Sequence, residues 1–188
     1  MVSGIHTTSG GTIDRESLAV ELVDEQGRAT GSCPVGPAHT APGRLHRAFS
    51  VLLFDARGRV LLQQRAAAKT RFPLRWSNAC CGHPAPGQAV AEAASARLHE
   101  ELRVRATLRE VGVYRYRATD SMTGRVEDEW DHVLVGRYPH ELPPDPDPAE
   151  VAALRWGAPD QLADELAAAP ADFTPWLAGV LRTARSAD

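Results

Sequence analysis

Three histidines in the N-terminal half of the chain are candidate ligands of a divalent metal ion. His39 and His46 flank the turn-rich residues 40–43, where a loop would present both imidazoles to one point. A single histidine is more often a surface or hydrogen-bonded residue than a ligand, so this pair needs further ligands. His83 follows Gly82, which permits a close backbone approach, and supplies a third imidazole.

Two glutamates further along the chain would add carboxylates to the same site. Glu127 and Glu129 are two residues apart on a predicted strand, so both side chains share one face while Asp128 points to the other. An exposed strand face would also explain this pattern. Because close carboxylates repel each other, their pairing is favoured where a cation compensates. Three imidazoles with two carboxylates suit Mn, Fe, Co or Zn better than magnesium alone.

A thiol and a group of charged residues could act on a phosphorylated substrate. Cys81 lies two residues before His83 and is a candidate acid or base, although free cysteines are commonly small buried hydrophobes. Arg97 and Glu101 are four residues apart on a predicted helix, where they form either a surface ion pair or a phosphate and magnesium site. The segment that leads to Cys81 carries further positive charge, on Arg65, Lys69 and Arg71.

The elements that must position these residues are short strands and a few helices. Turn signals and hydrophobic periodicity predict strands over 18–23, 48–54, 60–64, 111–117, 126–138 and 151–156, and helices over 88–102, from Pro159 and from Thr174–Pro175. The second and third strands are predicted to form one hairpin, and the fourth and fifth another. Five prolines between 139 and 148 exclude regular structure there. This order predicts a mixed α/β (α+β) fold.

Length and composition bound the organisation of the chain. Its 188 residues, 43% of them hydrophobic, predict one domain over 18–185 behind a flexible tail over 1–17. A formal charge of -3 excludes a nucleic-acid partner, and no apolar run reaches the roughly 20 residues that cross a bilayer. Three cysteines without CxxC spacing fit a reducing compartment. We therefore expect a cytoplasmic monomer.

Several separated motifs resemble those of the type I isopentenyl-diphosphate isomerases. They are His39-Thr40 with Leu45-His46-Arg47-Ala48-Phe49-Ser50, Trp76-Ser77-Asn78 with Cys81-Gly82-His83-Pro84, and Tyr116-Arg117-Ala118 with Glu127-Asp128-Glu129. Their order and spacing match as well, and the resemblance covers roughly residues 18–181. It implies the Nudix fold, a mixed sheet sandwiched between helices with additional N- and C-terminal elements, in which the helix over 88–102 takes the place of the Nudix box.

The resemblance also implies a role for each candidate residue in isoprenoid biosynthesis. The substrate would be isopentenyl diphosphate, converted to dimethylallyl diphosphate. An Mn2+ or Zn2+ ion would be held by His39, His46, His83, Glu127 and Glu129, and a diphosphate-bound Mg2+ by Glu101. Cys81 and Glu129 would face the alkene from opposite sides, Tyr116 would assist proton delivery, and Trp176 would be a pocket tryptophan. The diphosphate clamp would consist of Arg65, Lys69 and Arg97.

The implied reaction agrees with elementary chemistry. Moving a double bond by one carbon adds a proton at one carbon and removes another two carbons away, without a redox cofactor. The intermediate is a tertiary carbocation, which the aromatic face of Trp176 could stabilise by about 2 kcal/mol or more when desolvated. Ordinary helix packing is the alternative role for this tryptophan.

The chain departs from the family pattern at a few positions. Val35 stands where a lysine commonly contacts the diphosphate, which could cost on the order of 1 to 3 kcal/mol of binding. Arg103 stands where a glycine commonly closes the helix, and Leu74–Arg75 replace a Pro-Gly pair, so the local loop geometry could differ.

Two other functions remain open on the sequence alone. One is a Nudix hydrolase, although Gln88 and Arg97 occupy positions where the hydrolase box would carry glutamates. The other is a metal-binding paralogue that keeps the ligand cluster for stability but has lost turnover.

Overall fold

The computed structural model describes residues 14–139 and 144–186. Its strands are Ala19–Val23 (β1), Ala29–Pro34 (β2), His46–Phe54 (β3), Val60–Arg65 (β4), Trp76–Asn78 (β5), Cys80–Gly82 (β6), Leu108–Thr119 (β7), Val126–Arg137 (β8) and Val151–Gly157 (β9). The helices are Val35–Ala38 (α1), Val90–Leu102 (α2), Pro159–Ala168 (α3) and Leu177–Arg185 (α4). None of the helices in the described part is long and apolar enough to span a membrane.

The sheet is mixed, and β3 is its central strand. Along its whole length β3 pairs in parallel with β8, which in turn pairs antiparallel with β7. On its other side β3 pairs with β6 and, through single residue pairs, with β1 and β4. Neighbouring strands pair with both edges of β3, and since both of its faces are packed as well, nearly all of its residues are buried.

Helices cover both faces of this sheet. The side chains of β3 alternate between the two faces, as the period of a strand requires. Phe49, Val51 and Leu53 point towards α2, which contributes Leu98 and Leu102 to that core. The opposite core is formed against α3 and α4 by Leu52, Leu62, Leu162, Leu177 and Val180, among others. Burying a leucine of this kind stabilises the fold by about 1.5–3 kcal/mol, so the two cores hold the sheet in place.

Most predicted elements are present, and the predicted hairpin of the second and third strands is confirmed at its turn, although its paired part is short. A turn does follow β3, yet β3 and β4 pair only at Phe54 and Val60. Beyond the turn the strands separate, since β3 is occupied by β6 and β8 while β4 pairs with β5 and β9. The predicted hairpin of β7 and β8 is confirmed. No sequence pattern predicted β2, α1, β5 or β6.

The N-terminal tail predicted over 1–17 lies partly outside the described residues, which begin at residue 14. The part inside them is folded: Arg15–Ser17 form a 3-10 turn, capped by Asp14. The Glu16 carboxylate accepts a hydrogen bond from the Arg71 guanidinium over 2.7 Å. This ion pair ties the segment to the domain, so the folded part begins before residue 18. Of the proline-rich loop, residues 140–143 also lie outside the described residues.

Candidate active site

Strand pairing brings together residues that are distant in the chain. His46 at the start of β3 lies directly opposite Glu129 of β8, whose other neighbour is Tyr116 of β7. His39 is the C-cap of α1, and its carbonyl accepts a hydrogen bond from the amide of Val126 at the start of β8. The loop after β6 then adds His83.

Three imidazoles and two carboxylates converge at this point of the sheet. One potential ligand atom from each of His39, His46, His83, Glu127 and Glu129 lies within 4.8 Å of every other. The three ring centroids are 4.6–5.1 Å apart. Apart from partly buried His83, all five residues are buried. The structure thus brings together all five side chains that the sequence analysis selected as ligands.

The hydrogen bonds of the buried histidines leave one ring nitrogen of each directed at the centre of the cluster. Nδ1 of His39 lies 2.8 Å from the carbonyl of Val35, and Nδ1 of His46 lies 2.7 Å from that of Arg44. A carbonyl only accepts, so these Nδ1 atoms carry the protons. Both Nε2 atoms are buried without a hydrogen-bond partner, as is Oε2 of Glu127, which lies 2.8 Å from Nε2 of His39; with the ring proton on Nδ1, these two facing atoms are both acceptors. Such orphaned atoms fit a bound cation.

Electrostatics favour a cation here as well. Burial lowers the pKa of His83 to about 4, which keeps its imidazole neutral and able to act as a ligand. Burial would raise the pKa of Glu129, but its contacts with His46 over 3.6 Å and with His83 over 3.1 Å outweigh burial and hold that pKa well below its usual range. Glu129 is therefore a carboxylate at neutral pH. The donor set of imidazole nitrogen and carboxylate oxygen fits a divalent metal.

Next to this cluster lie the groups that could move protons. The Tyr116 hydroxyl donates to Oε2 of Glu129 over 2.6 Å. Burial raises the pKa of the Cys81 thiol to about 12, with a smaller contribution from the charge of Asp131, so at neutral pH Cys81 is a thiol. Its Sγ lies 3.6 Å from the hydroxyl of Ser50, which donates to Asp131 over 2.8 Å.

Aromatic rings border the same space. The Trp176 ring is 2% exposed and lies 5.7 Å from the ring of Tyr116 and 5.4 Å from that of Phe72. The Arg65 guanidinium lies 5.6 Å from the Trp176 ring centroid and donates to the carbonyls of Arg71 and Phe72. Arg65 thus holds the loop that follows β4 beside the tryptophan.

A single cavity of about 530 Å³ joins these groups to a basic region. Cys81, Tyr116, Glu129 and Trp176 line one part of it, and Arg65, Lys69, Arg71 and Arg97 line another. This volume is in the range of small-molecule sites. Val35 also lines the cavity. So does Arg71, whose guanidinium forms an ion pair with the Glu127 carboxylate over 3.2 Å.

Two carboxylates form ion pairs with Lys69 and Arg97 of the basic region. Arg97 contacts Glu101 over 2.6 Å and Glu150 over 2.7 Å, and Lys69 forms ion pairs with the same two glutamates. Glu101 is 1% exposed, accepts a further hydrogen bond from Gln63 and lies outside the five-residue cluster. The predicted pair of Arg97 and Glu101 is therefore a buried ion pair and not a surface one.

Sequence reasoning missed some residues of this site. Glu150 lies in an acidic and proline-rich stretch that carries no motif, so nothing local indicated its contact with Lys69 and Arg97. Asn78 was part of a motif, but no role was assigned to it. Ser50 and Asp131 could have been found from the sequence, because Asp131 continues the strand face of Glu127 and Glu129.

Comparison with known proteins gives one consistent result. The NUDIX domain family matches residues 44–177. A protein from Nocardia farcinica named isopentenyl-diphosphate Delta-isomerase is 66% identical over 170 residues, which are 90% of this chain and 96% of the relative. Proteins of the same name from Streptomyces coelicolor and Halorhodospira halophila are 47% and 42% identical, over 96% and 90% of this chain and 89% and 96% of the relatives.

Solved structures share the fold at low sequence identity. The protein DR0079 from Deinococcus radiodurans superposes with a TM-score of 0.70 at 21% identity, covering 87% of this chain and 97% of that protein. A Nudix hydrolase from M. smegmatis, RenU, gives a TM-score of 0.56 at 21% identity, over 79% of this chain and 91% of that one. These likenesses show the mixed sheet with flanking helices that the sequence predicted.

Proposed function

The chain belongs to the isopentenyl-diphosphate Delta-isomerase family of Nudix-fold proteins, and from this premise we propose that it interconverts isopentenyl and dimethylallyl diphosphate. The observation that carries the proposal is the single cavity lined by a thiol, a tyrosine-bound carboxylate, a tryptophan and a basic region. An unactivated alkene needs a proton donor, a proton acceptor and protection of the cation between them. The cavity holds a group for each task.

Cys81 and Glu129 are the proposed proton carriers, one on each side of the alkene. Cys81 holds a proton at neutral pH because its pKa is raised by burial, and Glu129 is ionised because its pKa is lowered by the histidines. Tyr116, hydrogen-bonded to Glu129, exchanges protons with that carboxylate. One group adds a proton at one carbon while the other removes a proton two carbons away, so the net change is a shifted double bond.

Trp176 has the geometry to protect the carbocation. Its ring lines the cavity and is almost fully buried between Phe72 and Tyr116, so it presents a desolvated aromatic face. Such a face attracts a cation by about 2 kcal/mol or more, and it offers no lone pair that would trap the intermediate. Exclusion of water from this side also prevents formation of an alcohol.

The five-residue cluster fits a divalent ion, and we propose Mn2+ or Zn2+ because three of its five donors are nitrogens. When bound, such an ion supplies a fixed positive charge that lowers the proton affinity of the carboxylate it touches. The ligands are proposed to be His39, His46, His83, Glu127 and Glu129. Glu101 is the proposed protein ligand of a separate Mg2+ that accompanies the diphosphate.

The diphosphate is proposed to bind Arg65, Lys69 and Arg97. Lys69 and Arg97 line the cavity and share the Glu150 carboxylate, so an anionic group already occupies the position that a phosphate would take. Bound diphosphate would replace Glu150 on these cations, and release of Lys69 and Arg97 from Glu101 would open that carboxylate to Mg2+. This remote binding positions the alkene near Cys81 and Glu129.

The charge pattern of α2 does not favour hydrolysis. A Nudix hydrolase needs several helix carboxylates for magnesium ions that activate water. Here the single guanidinium of Arg97 contacts both Glu100 and Glu101. The cytoplasmic location and the monomeric state stay predictions.

A labelling experiment tests the reaction directly. The protein is incubated with isopentenyl diphosphate and Mg2+ in deuterated water, and the products are analysed by NMR and by a phosphate assay. We expect deuterated dimethylallyl diphosphate and no phosphate. Phosphate release without isomerisation would support the hydrolase, and neither product would support the metal-binding paralogue.

The thiol's role is tested by replacing it in the same assay. Cys81→Ala should lower turnover at least a hundredfold while its bound metal, measured by elemental analysis, stays unchanged. Cys33→Ala removes a thiol that does not line the cavity, and it should behave like the unmodified protein. Retained turnover in Cys81→Ala would refute the role of the thiol.

A further inference from the structure

One buried amide joins the thiol and the tryptophan. Asn78 is the last residue of β5 and is fully buried. Its Oδ1 atom accepts from the Cys81 thiol over 3.3 Å and from the Trp176 indole nitrogen over 3.1 Å. The Ser77 hydroxyl donates to the same oxygen over 3.1 Å. Three side chains from two separate parts of the chain are thus held at one atom.

The other end of the amide is fixed by the backbone. Nδ2 of Asn78 donates to the carbonyls of Cys80 over 2.8 Å and Val51 over 3.2 Å. Because carbonyls only accept, this pair determines which end of the amide is nitrogen and which is oxygen. Oδ1 therefore faces the thiol and the indole. An amide oxygen in turn only accepts, so both Cys81 and Trp176 must direct their hydrogens towards it.

The two groups held in this way have complementary tasks. In the proposed function Cys81 carries a proton and Trp176 stabilises the cation that a proton transfer creates. Neither task survives if the sulfur and the ring move relative to each other, since a misplacement of about 1 Å can cost about 100-fold in rate. The indole nitrogen has no use in a cation–π contact, yet here it has a buried hydrogen-bond partner.

We propose that Asn78 is a positioning residue for the isomerisation, which holds the Cys81 thiol and the Trp176 ring in fixed relation through its single side-chain oxygen. The inference rests on the proposed function. Asn78 does not line the cavity, so it acts through the two residues it binds and does not contact the substrate. When the thiol gives up its proton, the Trp176 and Ser77 hydrogen bonds keep the amide in place for its return.

The first test separates positioning from folding and binding. Asn78→Ala should lower kcat by 10- to 100-fold, while KM and the affinity for magnesium pyrophosphate stay within about twofold of the unmodified protein. Pyrophosphate stoichiometry, measured by calorimetry, should stay near one per chain, because the folded fraction is unchanged. A fall in stoichiometry that accounts for the loss of kcat would overturn the proposal.

Thr174→Val is the matched control. Thr174 is also buried and donates to the Ser77 hydroxyl over 3.1 Å, but it is not among the hydrogen-bond partners of the Asn78 side chain. Its replacement removes one buried hydrogen bond next to the network and should leave kcat within about twofold. An equal loss of kcat in both variants would mean that any disturbance of this core slows the enzyme, which would also overturn the proposal.

A double-mutant cycle provides a readout that a purely structural role would not change. Trp176→Phe removes the indole nitrogen and keeps an aromatic ring. If Asn78 acts by holding Trp176, Asn78→Ala should cost at least threefold less in the Trp176→Phe background than in the unmodified protein. Multiplicative losses would contradict the inference.

A second variant covers the case in which Asn78→Ala does not fold. Asn78→Asp keeps an acceptor oxygen of the same reach, and when protonated it can still donate to the Cys80 carbonyl. Its kcat should stay within about fivefold of the unmodified protein, and a larger loss in folded protein would refute the role of the acceptor. Absence of isomerisation in the unmodified protein would refute the proposed function instead.

Discussion

At the scale of single residues, the charge of Glu150 has a role in the protein without bound substrate. Burial would raise the pKa of its carboxyl, but the charges of Lys69 and Arg97 lower that pKa to about 2. The carboxylate therefore stabilises the folded protein by holding together two cations that would otherwise repel each other. Because the pKa of Glu150 is lowered in the folded protein, this contribution to stability is lost as the pH falls.

We predict that Glu150→Gln loses stability at neutral pH but not in acid. A depressed folded-state pKa gives stability that is fully present above the ordinary value of 4.5 and is lost as pH falls towards 2. The unfolding free energy of the variant, measured with urea from pH 7 to pH 3, should approach that of the unmodified protein as pH falls.

Glu100→Gln is the control for this experiment. Glu100 also contacts Arg97, but its side chain is half exposed, so water screens the interaction and the effect should be smaller. A gap between Glu150→Gln and the unmodified protein that stays constant over the whole pH range would contradict the explanation.

At the residue scale, more of the candidate site was predicted from the sequence than local patterns alone would allow. The spacing of Glu127 and Glu129 correctly placed both on one strand face, since a strand has a fixed period of two. The convergence of His39, His46 and His83 with them is present in the structure, whereas their action as metal ligands stays a prediction. Glu150 was out of reach because its partners are set by packing of a loop against α2 and the loop after β4.

At the scale of elements, the end of α2 carries a residue whose backbone conformation has a measurable cost. Arg103 closes the helix in the left-handed conformation, with a φ of 56°. This conformation costs a residue with a Cβ atom about 1–2 kcal/mol, and glycine is free of that cost. Its guanidinium partly compensates, because it donates to the carbonyls of His99 and Glu100 at the helix end.

Two substitutions separate these opposing contributions. Arg103→Ala removes the guanidinium and keeps the strain, whereas Arg103→Gly removes both. We predict that the glycine variant is more stable than the alanine variant by about 1 kcal/mol in urea denaturation. Equal stabilities would mean that the left-handed conformation is not strained at this position.

The elements that were predicted well are those with long periodic patterns, such as α2, β7 and β8. The three-residue strands β5 and β6 are too short for any pattern to appear, although they carry Asn78 and Cys81. The short pairing of β3 with β4 has a related cause. Local residues specify the turn, but the partners of β3 lie far along the chain, and no local signal encodes a parallel pairing with β8.

At the scale of the whole molecule, the proposed metal site connects separate parts of the fold. Its ligands come from the C-cap of α1, from β3 and β8 and from the loop after β6, and they span residues 39–129. An ion bound only to the folded state stabilises it by about 2.7 kcal/mol at a concentration a hundred times its Kd. For a domain of this size that corresponds to about 5–10 °C in Tm.

Removal of the ion should therefore lower Tm by several degrees. We predict this shift for the protein treated with a chelator and its reversal by added Mn2+ or Zn2+, followed by calorimetry. In His39→Ala the difference between treated and untreated protein should disappear, whatever the Tm of that variant. A chelator effect that persists in His39→Ala would place the stabilising ion elsewhere.

The strand pairing around Glu129 restricts how the length of this chain can vary. Tyr116, Glu129 and His46 form one rung of the sheet, a row of neighbours on three adjacent strands. Adding or deleting one residue within such a strand would turn its side chains to the opposite face and disperse the rung. Insertions and deletions should therefore be tolerated in the turns at the strand ends and rejected between them, even where every side chain of the site is retained.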